Sequence, residues 1–320
     1  MRWNRGRIVS LVKLHAWQTV SRAKSLREFL LDARRYWSLS TPSSNSALAK
    51  LDARQLECQV TKDYHRIEKG LALASPKRPF GADAHSRLQV ALPKDRTPLL
   101  KDEAFASHAA TAIDALKRWN DSGQIDDVVS PVAASLPTFD IDEDNLTAFF
   151  ESRRSVRAFD PTQPVDPTVV MKAVRLAGNS PSVCNRQAWK AHLFTGKNDV
   201  ARIMRHQSGN RGFGPDAAGV LIVTANVELF SGSGERNQRW IDGGLFAMSL
   251  VYALHGLGIA TCMLNWSKGN KPSDALRAEA GLEKSEDIVV LIAVGHPIED
   301  HRVARSPRRS LTDTFVHHSA

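Results

Sequence analysis

Arg153, Arg154, Ser155 and Arg157 place three guanidiniums and a hydroxyl within five consecutive residues of the string Glu151 to Phe159, ESRRSVRAF. Positions spaced by two share one side of an extended chain, so Arg153, Ser155 and Arg157 can converge on a single phosphate through charge-assisted bonds. The alternative is that these arginines decorate a helix C-terminus, which the macrodipole favours without any ligand. A second cationic group, Arg305, Arg308 and Arg309, follows a VGHP turn near the C-terminus. Should the chain bring both groups together, they would hold a dianionic phosphate with more donors than either supplies alone. Between them lies Ser180 to Trp189, SPSVCNRQAW, where Ser182, Asn185 and Gln187 offer the mixed donors and acceptors that a planar heterocycle edge requires. An ordinary capped turn, with Asn and Ser bonding their own backbone, uses the same residue types.

The elements that must position these groups alternate after Leu146. Apolar spacing predicts helices at Leu146 to Glu151, Pro167 to Ala177, Val200 to His206, Gln238 to Leu254 and Pro272 to Ala280. Strands are predicted at Lys190 to Phe194, Gly219 to Ala225, Ile259 to Leu264 and Asp287 to Val294. Intermixed strands and helices argue for one α+β or α/β domain with helices covering a central sheet. No GxGxxG follows any of these strands and no P-loop occurs, so a Rossmann unit is not supported.

These pieces, in this order, resemble the nitroreductase family of FMN-binding flavoproteins over about Leu146 to Phe315. The resemblance rests on RRSVRAF, SPSVCNRQAW, GNRGFG at Gly209 to Gly214, the long segment DGGLFAMSLVYALHGLGIATCML, and IAVGHP followed by PRRSL. It implies an α+β fold that forms a homodimer, with FMN at the dimer interface and NADH or NADPH as electron donor to a small nitroaromatic, quinone or related acceptor. Carried over by residue, it implies that Arg153, Ser155 and Arg157, with Arg308, hold the FMN phosphate, Arg154 belonging to the same tract. It further implies that Ser182 and Asn185 approach the flavin from the partner subunit, that Asn210 reads the pyrimidine edge, and that backbone amides around Leu264 and Asn265 face N5 and O4. Ala188 replaces the usual proline, which loosens that turn, and Cys184 falls close to the flavin by the same alignment. The segment Val227 to Arg239, where family members vary in their substrate pocket, is expected to be a mobile loop because of its glycines and serines.

The first 120 residues look helical and chemically thin, and we assign 1–140 to a helical extension with basic arm and linker and 141–320 to the FMN-binding domain. In the first 37 residues, Arg2, Arg5, Arg7, Lys13, Arg22, Lys24, Arg27, Arg34 and Arg35 stand against Glu28 and Asp32, a balance of +7 out of +9 for the 320-residue chain. Loosely helical apolar spacing (Leu26, Phe29, Leu30, Ala33, Trp37) suggests a basic amphipathic helix or two. Such an arm is either a solvated helical face or a device for docking on an anionic surface. A catalytically inactive flavin-fold adaptor docking through this arm is the alternative function. The Ser-rich joint Ser38 to Ser46 leads to a second helical stretch, Leu48 to Gly70, and helical spacing returns at Asp102 to Trp119. Ser130 to Asp144, with its prolines and acids, reads as a linker.

The string Asp63 to Gly70, DYHRIEKG, followed by KRPFG, is similar to a stretch in nitroreductase-like proteins associated with exopolysaccharide synthesis. His65 and Glu68 share a helix face, as an ion network rather than a metal site. Cys58, Cys184 and Cys262 form no CxxC pair, so no zinc cluster or disulfide framework is encoded. Cysteine usage and a poor secretory signal point to the cytoplasm. Gly243 to Leu264 is about long enough to span a bilayer, but Gly256 and Gly258 split it into helix, turn and buried strand. Neither basic tract has aromatic interleaving, which argues against nucleic acid.

Overall fold

A computed structural model of the chain describes residues 5–42, 51–93, 103–133 and 139–319, with side chains from residue 21 onward. Its sheet is mixed with helices in the α+β manner. The sheet consists of β1 (Trp189–Thr195), β2 (Gly219–Asn226), β3 (Ala260–Asn265) and β4 (Glu286–Gly295), in the order β1-β2-β4-β3, with every pair antiparallel. β2 and β4 are central and read as continuous apolar runs because helices cover both of their faces. Alternation along β2 sorts the side chains. Val220 and Ile222 join Val200, Ile203, Met204 and Leu276 on one face, while Leu221 and Val223 join Val170, Phe246, Leu250 and Leu254 on the other.

The covering helices are α6 (Pro167–Ala177) and α8 (Gln238–Gly256) on one side, and α7 (Lys197–Met204) and α9 (Asn270–Ala280) on the other. Each of the sequence-predicted helices and strands of this half is present. The span-like segment is α8 followed by β3, separated at Gly258, whose φ of +78° lies in the left-handed region that favours glycine. Gly243 lets α8 approach the sheet, since a Cβ there would sit 2.6 Å from Val289 Cγ2. No described helix is long and apolar enough to cross a membrane.

The N-terminal region contains α1 (Arg5–Leu39), α2 (Ala53–Leu71), α3 (Ala82–Ala91) and α4 (Ala104–Ser122). α1 is one unbroken helix, and the second helical stretch starts at Ala53, where Asp52 accepts a hydrogen bond from the Gln55 amide. α2 to α4 share a core of their own, with Leu56, Val60, Ile67, Leu88, Phe105 and Leu116 buried. Sequence spacing misses α3, a short helix of alternating small and polar residues that Gly81 starts at φ +79°. The acids read as the end of a linker prove to start α5 (Glu143–Ser152). Asp142 accepts from the Asn145 amide at 2.7 Å, and Glu143 and Asp144 occupy the first turn, where negative charge is favoured. Residues 134–138 of that linker, 43–46 of the Ser-rich joint, and 48–50 and 102 at the starts of two predicted helical stretches lie outside the described residues.

The DYHRIEKG string has a packing role. Asp63 is buried, chelated by Arg87 Nε and Nη2 at 3.0 and 2.6 Å, and accepts from Gln59 Nε2 at 2.9 Å. His65 Nδ1 lies 2.8 Å from Glu68 Oε2, the expected surface pair. Gly70 faces the Phe80 ring, where a Cβ would sit 2.2 Å from Cε2. Gly70→Ala should therefore destabilise the chain by about 1–2 kcal/mol in denaturant titration, because overpacking against a rigid ring outweighs the helix-propensity gain. An unchanged or raised midpoint would contradict this packing.

Candidate functional site

Arg153 ends α5 in extended conformation, and the following residues run beside β3. Ser155 forms a parallel bridge to Thr261, and the Val156 amide donates to the Thr261 carbonyl at 3.0 Å. Val156 and Phe159 are buried anchors, and the Asp160 amide donates to the His296 carbonyl at 2.8 Å. The tract is thus extended, as a phosphate clamp requires. Its arginines are not equivalent. Arg154 Nη1 turns back to the carbonyls of Glu151 and Arg153, the helix-end use of the charge. Arg153 and Arg157 have no ion-pair partner among the described residues. The helix-side neighbour His255 donates to or accepts from Ser152 Oγ at 2.9 Å and packs on Phe149. Burial, then the charge of Arg153, holds its pKa below the ordinary value.

β3 is an edge strand, and past Thr261 its outer edge has no strand partner among the described residues. The loop after α7 closes on its end. Gln207 Nε2 donates to the Asn265 carbonyl at 2.7 Å, while Gln207 Oε1 accepts from the amides of Ser208 and Gly209. Asn210 Nδ2 donates to the Met204 carbonyl at 2.9 Å, and Gly214 leaves room for it, since a Cβ there would sit 2.8 Å from Nδ2. Asn210 Oδ1 is left without a donor among the described residues. Gln207 thus ties the loop that carries Asn210 to the Asn265 end of β3. Sequence reading missed Gln207 despite its standing two residues before GNRGFG.

The SPSVCNRQAW turn is strained. Cys184, Asn185 and Gln187 have φ of 50°, 54° and 48°, conformations that persist only where the surroundings impose them. Asp242 Oδ2 accepts from the Val183 amide at 3.1 Å, and Ser182 Oγ accepts from the Gln187 amide at 3.0 Å. Ala188 does not loosen the turn, because its carbonyl accepts from the Asn226 amide at 2.8 Å and its side chain is buried.

At the centre of the turn, Arg186 is buried, which its polarity in the motif did not signal. Its Nη1 donates to Glu235 Oε2 at 2.8 Å and to Cys58 Sγ at 3.4 Å, its Nε donates to the Val183 carbonyl at 3.1 Å, and it stacks over Phe230. Burial would raise the Glu235 pKa, but Arg186 and the Ser231 amide together hold it below the ordinary carboxylate value. Burial pushes the Cys58 thiol up.

The segment from Val227 to Arg239 is pinned rather than loose. Val227, Leu229 and Phe230 are buried, and α1 and the residues after it hold the segment down. Tyr36 Oη donates to the Gly232 carbonyl at 2.8 Å, and the Thr41 amide donates to the Phe230 carbonyl at 2.8 Å. Asp287 ties Arg35 to Arg239, at 2.8 and 2.6 Å, and Arg239 lies between the rings of Tyr36 and Trp240. Burial, then the charge of Glu235, pushes the Tyr36 pKa up to about 12. Glu28 of α1 accepts from the Asn270 amide at 2.8 Å, at the N-terminus of α9. Two neighbouring cavities result. One, of about 330 Å³, runs from Asp32 and Arg35 past Trp240 to Asn265 and Lys268. The other, of about 730 Å³, lies between Tyr36, Trp37 and the residues Gly232 to Trp240.

Within one chain, then, the extended arginine tract runs beside the start of β3 and Leu264 and Asn265 form its end. Ser182 and Asn185 sit apart from them, against α2 and α8. Arg308 is exposed in the tail, where Nη1 donates to the Ser306 carbonyl, and among the described residues the tail makes no hydrogen bond to the arginine tract.

The description of the nitroreductase family matches residues 150–210 and 202–296. The 4-nitrobenzoate reductase of Pseudomonas putida is 24% identical, over 54% of this chain and 95% of that protein. A nitroreductase-like protein from Streptococcus mutans superposes with a TM-score of 0.48 at 16% identity, covering 56% of this chain and all of the other. A nitroreductase from Desulfovibrio desulfuricans crystallised with FMN gives 0.47 at 18% identity, covering 56% and 99%. The motifs, the sheet they bracket and the family match fall on the same residues, so the segment 150–296 of this chain is similar to the nitroreductase family.

Proposed function

We propose that the protein is an FMN-dependent oxidoreductase that takes electrons from NADH or NADPH and passes them to a small acceptor, of nitroaromatic, quinone or related type. The observation that carries this reading is the extended tract beside β3, in which Arg153 and Arg157 flank Ser155 with no carboxylate among the described residues to neutralise them. Two unpaired guanidiniums with a hydroxyl between them suit a dianionic phosphate, and the free outer edge of β3 suits the polar rim of a flat ring. The donor set therefore fits FMN. When bound, FMN supplies hydride chemistry at N5.

The chain's own residues do the rest. Arg153, Ser155 and Arg157 bind the phosphate, and Arg308 joins them from the tail. Asn210 Oδ1 would be the acceptor offered to a ring N–H, and backbone amides around Leu264 and Asn265 would be the donors offered to the ring's polar rim. Gln207 positions that strand end. Ser182 and Asn185 close the site from a second subunit. A homodimer is also supported by the exposed Leu146, Phe150, Ile241 and Leu245 of α5 and α8, and by the exposed tail with Leu311, Phe315 and Val316. The P. putida relative, by its name, favours a nitroaromatic acceptor.

Anaerobic titration of the FMN-loaded protein with NADH and then NADPH tests this reading. Bleaching of the flavin absorbance by either donor, restored by a nitroaromatic or quinone, is the expected result. A flavin that neither donor reduces would refute turnover and favour the inactive adaptor.

A further inference from the structure

One face of α1 remains unused by the proposed flavin chemistry. Between residues 21 and 39, the side carrying Glu28, Arg35 and Tyr36 is bonded to the rest of the chain. By helical spacing, Leu26 and Leu30 lie on the opposite side, 59% and 62% exposed, and Trp37, 86% exposed, continues the stripe at the rim of the larger cavity. Arg27 and Arg34 border the stripe on one side and Arg22 on the other. All three are exposed, with no ion pair to a described residue.

We propose that this face of α1 docks on an anionic lipid surface, with the stripe at the boundary between headgroups and acyl chains and the bordering arginines on lipid phosphates. Charge selects the occupant. The +7 balance of residues 1–37 attracts an anionic surface and repels the same arm of a second copy. A nucleic-acid backbone would satisfy the arginines but would leave Leu26 and Leu30 in water. A plane that is apolar within and anionic at its edge satisfies both.

Co-sedimentation of the full chain with phosphatidylcholine vesicles, with and without phosphatidylglycerol, provides the test. Pelleting with the anionic vesicles alone is expected, weakening as salt is raised. The pair Leu26→Asp and Leu30→Asp, and separately the trio Arg22→Glu, Arg27→Glu and Arg34→Glu, should each lower the partition coefficient about tenfold or more. Unchanged circular dichroism would show that these variants fold. Equal pelleting with neutral vesicles, no pelleting at all, or variants that bind like the parent would overturn the proposal. So would a smaller particle by light scattering for the leucine pair than for the parent, since a second copy would then be what covers the stripe.

Discussion

Replacing Glu235 by glutamine is expected to cost about 3 kcal/mol of stability, because it leaves the buried Arg186 without its counter-charge. Arg186 has a fully buried side chain whose Nη2 has no partner among the described residues, so little is left to compensate it. The effect should spread beyond the loop. Arg186 joins Cys58 of α2, the Val183 carbonyl of the strained turn and the segment after β2, so the N-terminal helices and the turn should loosen together. Equilibrium denaturation with near-UV circular dichroism measures the loss, and a change within about 0.5 kcal/mol would show that the pair contributes nothing beyond an exposed one.

The pH dependence follows with a definite sign. The Glu235 pKa is lowered in the folded chain despite its burial, so its contribution is present above the ordinary value of 4.5 and is lost as pH falls through the lowered folded value. The parent should therefore lose stability in acid more steeply than Glu235→Gln.

Arg153→Gln and Arg157→Gln should each weaken FMN binding by roughly tenfold to a hundredfold, since a charge-assisted hydrogen bond contributes about 1.5–3 kcal/mol. Arg154→Gln should leave FMN affinity within about threefold, because that guanidinium is already committed to the end of α5. This contrast separates a built clamp from a generally basic surface, on which all three changes would weaken binding alike. Fluorescence quenching of FMN titrated with each variant reads all three values.

The alternation of strand and helix after Leu146 was legible because the central strands are uniformly apolar and the helices carry one apolar face. The two-residue spacing of Arg153, Ser155 and Arg157 pointed to an extended tract, which the structure has, but the diversion of Arg154 was not legible, since residue type does not say which carbonyls lie within reach. Arg186 and Gln207 were illegible for a related reason. Each bonds across long sequence distances, Arg186 to Cys58 and Gln207 to Asn265, and no local pattern encodes such pairing. Glycine and serine content suggested a loose segment at Val227 to Arg239, whereas α1 and Glu235 fasten it. α3 stayed hidden because a ten-residue helix buries few apolar side chains.

The most direct test of the phosphate clamp is the affinity of the protein for FMN set against its affinity for riboflavin, which has the same ring and lacks the phosphate. The clamp requires FMN to bind at least about a hundredfold more tightly, with the advantage shrinking in Arg153→Gln and Arg157→Gln. Equal affinity for the two, or binding of neither, would contradict it.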